Sequence, residues 1–136
     1  MTIRKIIVLA CCFHFLMQFF ALDILFPEEV VSVVLTKEDS GSVVHIDEEY
    51  FFEIELEGNP STGFWWHFES LDEQYLKLVR EEAEKISKER LGAPVLGRWV
   101  FKAKRCGETT VKMAYYRKWE GADKAVDRVS FVVKIK

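Results

Sequence analysis

The sequence predicts an all-β chain, a sandwich or barrel of short, half-buried antiparallel strands, on three observations. Apolar residues recur at every second position, not every 3.6, through several separate runs. Clusters of Gly, Pro, Ser, Asn and Asp stand between those runs. A single stretch, residues 74–90, has enough Lys, Glu and Leu to pass for an amphipathic helix.

Taken in order, residues 1–5 are short and basic and lead into a nearly unbroken apolar run from Ile6 to Leu22. That is the pattern of a helical secretory signal peptide, with cleavage placed after Ala21 although Phe19 fits the small-residue rule poorly. His14, Gln18 and then Asp23 interrupt the run, so a membrane span of about 20 apolar residues is the lesser reading. Val8-Leu9-Ala10-Cys11 loosely resembles a lipoprotein box. Only about five apolar residues precede the cysteine, fewer than a signal core needs, and a lipid anchor at Cys11 is a minor alternative. The expected division is a signal peptide at 1–21 and one domain at 22–136, long enough for a single core. Its expected location is secreted, periplasmic or in an endomembrane lumen.

Residues 31–35 (VSVVL) and 50–56 (YFFEIEL) open the strand series. In the second run Phe52, Ile54 and Leu56 share one face while Glu53 and Glu55 share the other, as a sheet with one dry and one wet side requires. His67, behind Trp65-Trp66, falls on a further strand. The first half of 74–90 reads as a strand, because Leu76, Leu78 and Arg80 alternate with Lys77 and Val79. Residues 99–103 (WVFKA), 109–116 (TTVKMAYY) and 129–135 (VSFVVKI) complete the set. Turn signals separate them at 40–42, 58–60, 92–94, 106–108 and 121–123.

Charge and cysteine content exclude several functions. Removing 1–21 takes away Arg4 and Lys5 and no acid, which leaves 17 basic against 22 acidic residues and a net charge of −5. Such a domain offers no basic surface to nucleic acid. Cys11 and Cys12 belong to the expected signal, so Cys106 remains alone and no internal disulfide can form. Stability must then come from the apolar core. His45 and His67 have no Cys, His or carboxylate at metal-ligand spacing, and no metal or cofactor is expected. There is no Gly-x-Ser-x-Gly elbow and no phosphate-binding Gly-rich loop. One Cys106 and one His67 in a small domain do not constitute a nucleophilic pair, and an enzyme is not expected.

Three loops are not explained by packing. The first is Asn59-Pro60-Ser61-Thr62-Gly63-Phe64. Pro60 fixes its own backbone and biases Asn59 to an extended form, while Gly63 permits a turn closed to other residues. The loop is therefore preorganised, and Pro60 also blocks Asn59 as a glycosylation acceptor. The second is Gly92-Ala93-Pro94-Val95-Leu96-Gly97, and the third is Arg117-Lys118-Trp119 after Tyr115-Tyr116.

On these three motifs, over roughly residues 30–136, the chain resembles the chagasin-like inhibitors of papain-like cysteine peptidases. The first loop departs from the family's Asn-Pro-Thr-Thr-Gly-aromatic motif only at Ser61. The third has Lys118 where the family has proline, and the second has one glycine fewer than the commonest versions. The resemblance implies an immunoglobulin-like antiparallel β-sandwich of about seven strands, with the three loops at one end. It implies a monomeric, reversible inhibitor of papain-like cysteine proteases. The protease-binding residues would be Asn59, Pro60, Ser61, Thr62, Gly63 and Phe64 in the first loop, Gly92, Ala93, Pro94 and Gly97 in the second, and Arg117 and Trp119 in the third. The alternative is a secreted sandwich for adhesion or protein assembly, using Trp65, Trp66 and Trp99 to recruit another chain.

Overall fold

The computed structural model describes residues 30–86 and 92–136. The signal peptide expected at 1–21 and the alternative anchor at Cys11 lie outside the described residues. Eight strands run through the rest: β1 (Val31–Leu35), β2 (Val43–Ile46), β3 (Phe51–Gly58), β4 (Phe64–Ser70), β5 (Leu76–Lys85), β6 (Val95–Ala103), β7 (Gly107–Arg117) and β8 (Asp127–Ile135). They form two four-stranded sheets, ordered β1-β3-β6-β5 and β2-β8-β7-β4. The sandwich expected from sequence is borne out, with one strand more than seven. The four residues of β2 are too few for their alternation to register as a run.

Of residues 74–90, 87–90 lie outside the described residues, and those up to 86 form a strand from Leu76 to Lys85, further than the alternation reached. The reason is a register shift between Leu78 and Arg80 in the β5–β6 pairing, which breaks the period of two midway. Interior strands pair antiparallel, but the edge strands β1 and β2 run parallel to β3 and β8. After Leu35 the chain turns through Lys37–Asp39 and crosses to the other sheet as β2, so neither edge pairing is built by a hairpin.

Between the sheets lie Phe52, Ile54 and Leu56 of β3, Trp99, Phe101 and Ala103 of β6, Val111 and Met113 of β7, and Phe131, Val133 and Ile135 of β8, all buried at alternate positions. Phe101 stacks on Phe52 with centroids 5.2 Å apart and meets Phe68 edge-on at 5.9 Å. Trp66 and Trp99 are buried in this core and Trp65 packs against it. The Trp66 and Trp99 indoles are thus inside the sandwich and Trp65 is half-buried, so two of the three indoles that the adhesion alternative uses are not at the surface.

On the outer face of the first sheet, Arg98 of β6 sits among three carboxylates. Its Nε lies 2.9 Å from Glu55 and 3.4 Å from Glu53, and its Nη1 lies 3.1 Å from Glu84. Glu53 is only 8% exposed. Burial, helped by the adjacent Glu55, pushes its carboxyl above the usual range against the pull of Arg98 and Arg80. A carboxyl raised in the folded state stabilises the fold below its unfolded value, about 4.3, and that contribution is lost as pH rises through the folded value. Urea unfolding from pH 4 to pH 8 is therefore expected to show the stability of the parent relative to Glu53→Gln falling as pH rises above about 4.3. Superimposable pH profiles for the two proteins contradict this assignment.

Candidate functional site

One pole of the sandwich is defined by the end of β3, the start of β4, the start of β6 and the end of β7. The β3–β4 connection is the most tightly specified part of it. Pro60 opens a single 3-10 turn over Pro60–Thr62, where its fixed φ suits the turn and its missing N–H costs nothing. The Thr62 N–H donates to Asn59 O at 3.1 Å and the Gly63 N–H to Pro60 O at 3.0 Å. The Thr62 hydroxyl also donates to Asn59 O, at 2.7 Å, and the Ser61 hydroxyl donates to the Asn59 side chain. Gly63 leaves the turn in the left-handed region, φ 84°. Pro60, Ser61 and Thr62 remain exposed at the tip.

The other two loops close on this turn from either side. The Asn59 amide reaches Gly92 O at 3.5 Å, and Gly92 leads through Ala93 and Pro94 into β6. The Arg117 Nε–H donates to Thr62 O at 3.0 Å, and its guanidinium lies 4.3 Å over the Phe64 ring. Trp119 lies against Gly63 so closely that a Cβ there would come within 1.9 Å of the indole Cη2. The ring is nonetheless 72% exposed, a flat apolar surface beside the turn tip. Lys118 does not leave the third loop slack. The Glu120 N–H donates to Arg117 O at 2.9 Å, and the Glu120 carboxylate takes the Arg117 Nη1 at 3.3 Å.

Of the residues expected at this site, the structure brings Asn59, Thr62, Gly63, Phe64, Gly92, Arg117 and Trp119 into one connected cluster. Pro60 and Ser61 share the turn, and Ala93 and Pro94 continue the second loop from Gly92 to β6. Gly97 stands apart: it is buried within β6, opposite Leu56 of β3. A Cβ on Gly97 would lie 2.4 Å from the Trp99 ring and 3.0 Å from the Trp65 ring, so this glycine makes room for core indoles. Its place in a Gly-rich motif could not reveal this, because loop and strand glycines look alike in sequence.

Tyr115 is a site residue that the sequence reading did not single out. Its hydroxyl accepts the Asn59 backbone N–H at 2.9 Å, and its ring stacks on Phe64 at 5.4 Å and against Trp66 at 5.0 Å. The available signal was its spacing of two from Arg117, which puts both on one face of β7.

Cys106 and His67 are not a catalytic pair. His67 pairs opposite Ala114 of β7, whereas Cys106 just precedes that strand, eight residues away. At about 3.3 Å per residue the separation is roughly 25 Å. Cys106 is exposed, and its hydrogen bond to Glu48 pushes the thiol upward, away from thiolate character. The His67 ring packs on Tyr116 at 4.5 Å. Burial, reinforced by Lys118, pushes its imidazole below the usual range.

The family model described as chagasin family peptidase inhibitor I42 matches residues 45–135. Amoebiasin-2 of Entamoeba histolytica is 29% identical over 104 residues, which cover 76% of this chain and 85% of that protein. Among solved structures, the cysteine protease inhibitor EhICP2 of Entamoeba histolytica aligns with a TM-score of 0.71 at 24% identity, covering 76% of this chain and 96% of that one. PbICP-C, solved in complex with falcipain-2, aligns with a TM-score of 0.56 at 17% identity over 82% and 95% of the two chains. The Leishmania mexicana ICP aligns at 0.54 and 22% identity over 82% and 96%. At these identities the solved structures establish a likeness of fold.

Proposed function

This chain belongs to the chagasin family of peptidase inhibitors, and from that premise we propose that it reversibly inhibits papain-like cysteine proteases by inserting its three loops into the active-site cleft. The observation that carries the reading is the joining of all three loops at one pole, through Asn59 to Gly92, Thr62 to Arg117 and Gly63 to Trp119. A papain-like cleft holds a thiolate and a histidine between two walls, and a rival to substrate must fill it without presenting a cleavable bond. The exposed turn tip at Pro60, Ser61 and Thr62 is narrow and internally hydrogen-bonded, which suits entry between walls and resists the extended conformation that cleavage demands. Trp119, and Gly92 with Pro94, flank the tip and face the walls in this scheme. Three loops on one sandwich end can supply a standard interface of about 800 Å² per partner.

The proposed setting is the secretory route, a periplasm or an endomembrane lumen, supported by the basic start and apolar run at residues 1–22.

The test is residual activity of a papain-like protease titrated with the purified protein. A reversible one-to-one loss is expected, and a Thr62→Glu plus Trp119→Ala variant should not produce it. Full activity of several such proteases at micromolar protein overturns the reading.

A further inference from the structure

We infer that Tyr115 and Arg117 are positioning residues, a latch on one face of β7 that holds the first loop in its binding shape before any protease arrives. This rests on the inhibitory reading above and assigns a cause to its affinity. Residues two apart on a strand project from the same face about 7 Å from each other, close to the span of a tight turn. Here the two side chains take the two ends of the turn: the Tyr115 hydroxyl accepts the Asn59 N–H at 2.9 Å, and the Arg117 Nε–H donates to Thr62 O at 3.0 Å. Phe64 completes the latch. Its ring stacks on Tyr115 at 5.4 Å and carries the Arg117 guanidinium at 4.3 Å, so the residue leaving the turn touches both side chains.

The turn's own hydrogen bonds, Thr62 N–H to Asn59 O and Gly63 N–H to Pro60 O, close a single 3-10 turn, too short a structure to hold its shape in water unaided. The latch ties it to a strand paired with both β4 and β8. Arg117 therefore differs from Trp119. Its Nε and Nη1 donate within the molecule, to Thr62 and Glu120, and its guanidinium lies over Phe64, whereas Trp119 presents an open face. An Arg117 substitution should weaken inhibition by loosening the first loop, not by removing a contact with the enzyme. A loop that only part of the time holds its binding shape lowers the competent fraction of the protein, and with it the association rate.

Hydrogen exchange of the free protein and inhibition kinetics together test this. In Tyr115→Phe, which removes a single oxygen, exchange of the Asn59 amide should quicken at least about tenfold. In Arg117→Ala the Thr62 and Gly63 amides should quicken similarly. Both variants should associate with the protease about tenfold more slowly, a change equivalent to about 1.4 kcal/mol. Arg117→Lys keeps the charge but not the planar fork and should not restore the rate. Unchanged exchange in both Tyr115→Phe and Arg117→Ala overturns the latch, and so does faster exchange with inhibition constants within twofold of the original. Recovery of full inhibition by Arg117→Lys also overturns it, since that is the behaviour of a simple charge contact. A wild-type protein that inhibits no papain-like protease instead removes the functional reading, and this inference with it.

Discussion

Gly63→Ala should weaken inhibition of a papain-like protease by about 100-fold or more while leaving the sandwich folded. Two costs combine at this position. Gly63 has φ 84°, and an L-residue with a Cβ in the left-handed region is disfavoured by about 1–2 kcal/mol. The added methyl would also stand 1.9 Å from the Trp119 ring, so the indole must swing off the turn. Displacing an interface tryptophan of the kind that dominates binding removes about 2 kcal/mol or more. At 1.4 kcal/mol per tenfold, the sum exceeds two orders of magnitude. Neither cost reaches the core, so the melting temperature should fall by no more than about 10 °C. Coupling can be read from a double-mutant cycle: in the Gly63→Ala background, Trp119→Ala should add far less than it does alone, because the indole is already displaced. An inhibition constant within threefold of the original would falsify the placement of Gly63 and Trp119 in the binding surface.

The largest effect on stability is expected at the centre of the molecule. Phe101 is completely buried, stacked on Phe52 and edge-on to Phe68, where the two sheets meet. Phe101→Ala removes the transferred ring and leaves a cavity that neighbouring strands cannot close, at about 3–5 kcal/mol. Against a total of about 5–15 kcal/mol for a domain of this kind, that is a large share, and the melting temperature should drop by about 15 °C or more. In urea the midpoint should move while the slope holds, since the surface exposed on unfolding barely changes. The fraction that remains folded should inhibit as well as the parent, because Phe101 has no contact with the loop pole. A loss below about 1 kcal/mol contradicts the assignment of Phe101 to the core.

Gly97 and Tyr115 mark the limits of what the chain reveals on its own. Gly97 lies in a Gly-rich motif and reads as a loop residue, yet it is buried in β6 because Trp65 and Trp99 need the volume a side chain would take. Tyr115 reads as one more strand aromatic, yet its hydroxyl anchors the first loop across 56 residues of sequence. Both facts concern what stands opposite, and a linear pattern does not contain that. The edge strands make the same point: alternation identified β1, but its parallel pairing with β3 follows from a crossing between sheets.

From sequence alone came every strand but β2, because alternation by two is a local property of a chain with one wet and one dry face. The first two loops were equally legible, since proline fixes the backbone and glycine opens conformations closed to other residues, while the third, Arg117-Lys118-Trp119, was read from its likeness to a family motif. Tertiary structure alone decided that those loops meet, which of their residues face solvent, and which polar groups hold them. Contacts between residues far apart in the chain depend on how two sheets stack and twist, and no short stretch of sequence encodes that distance.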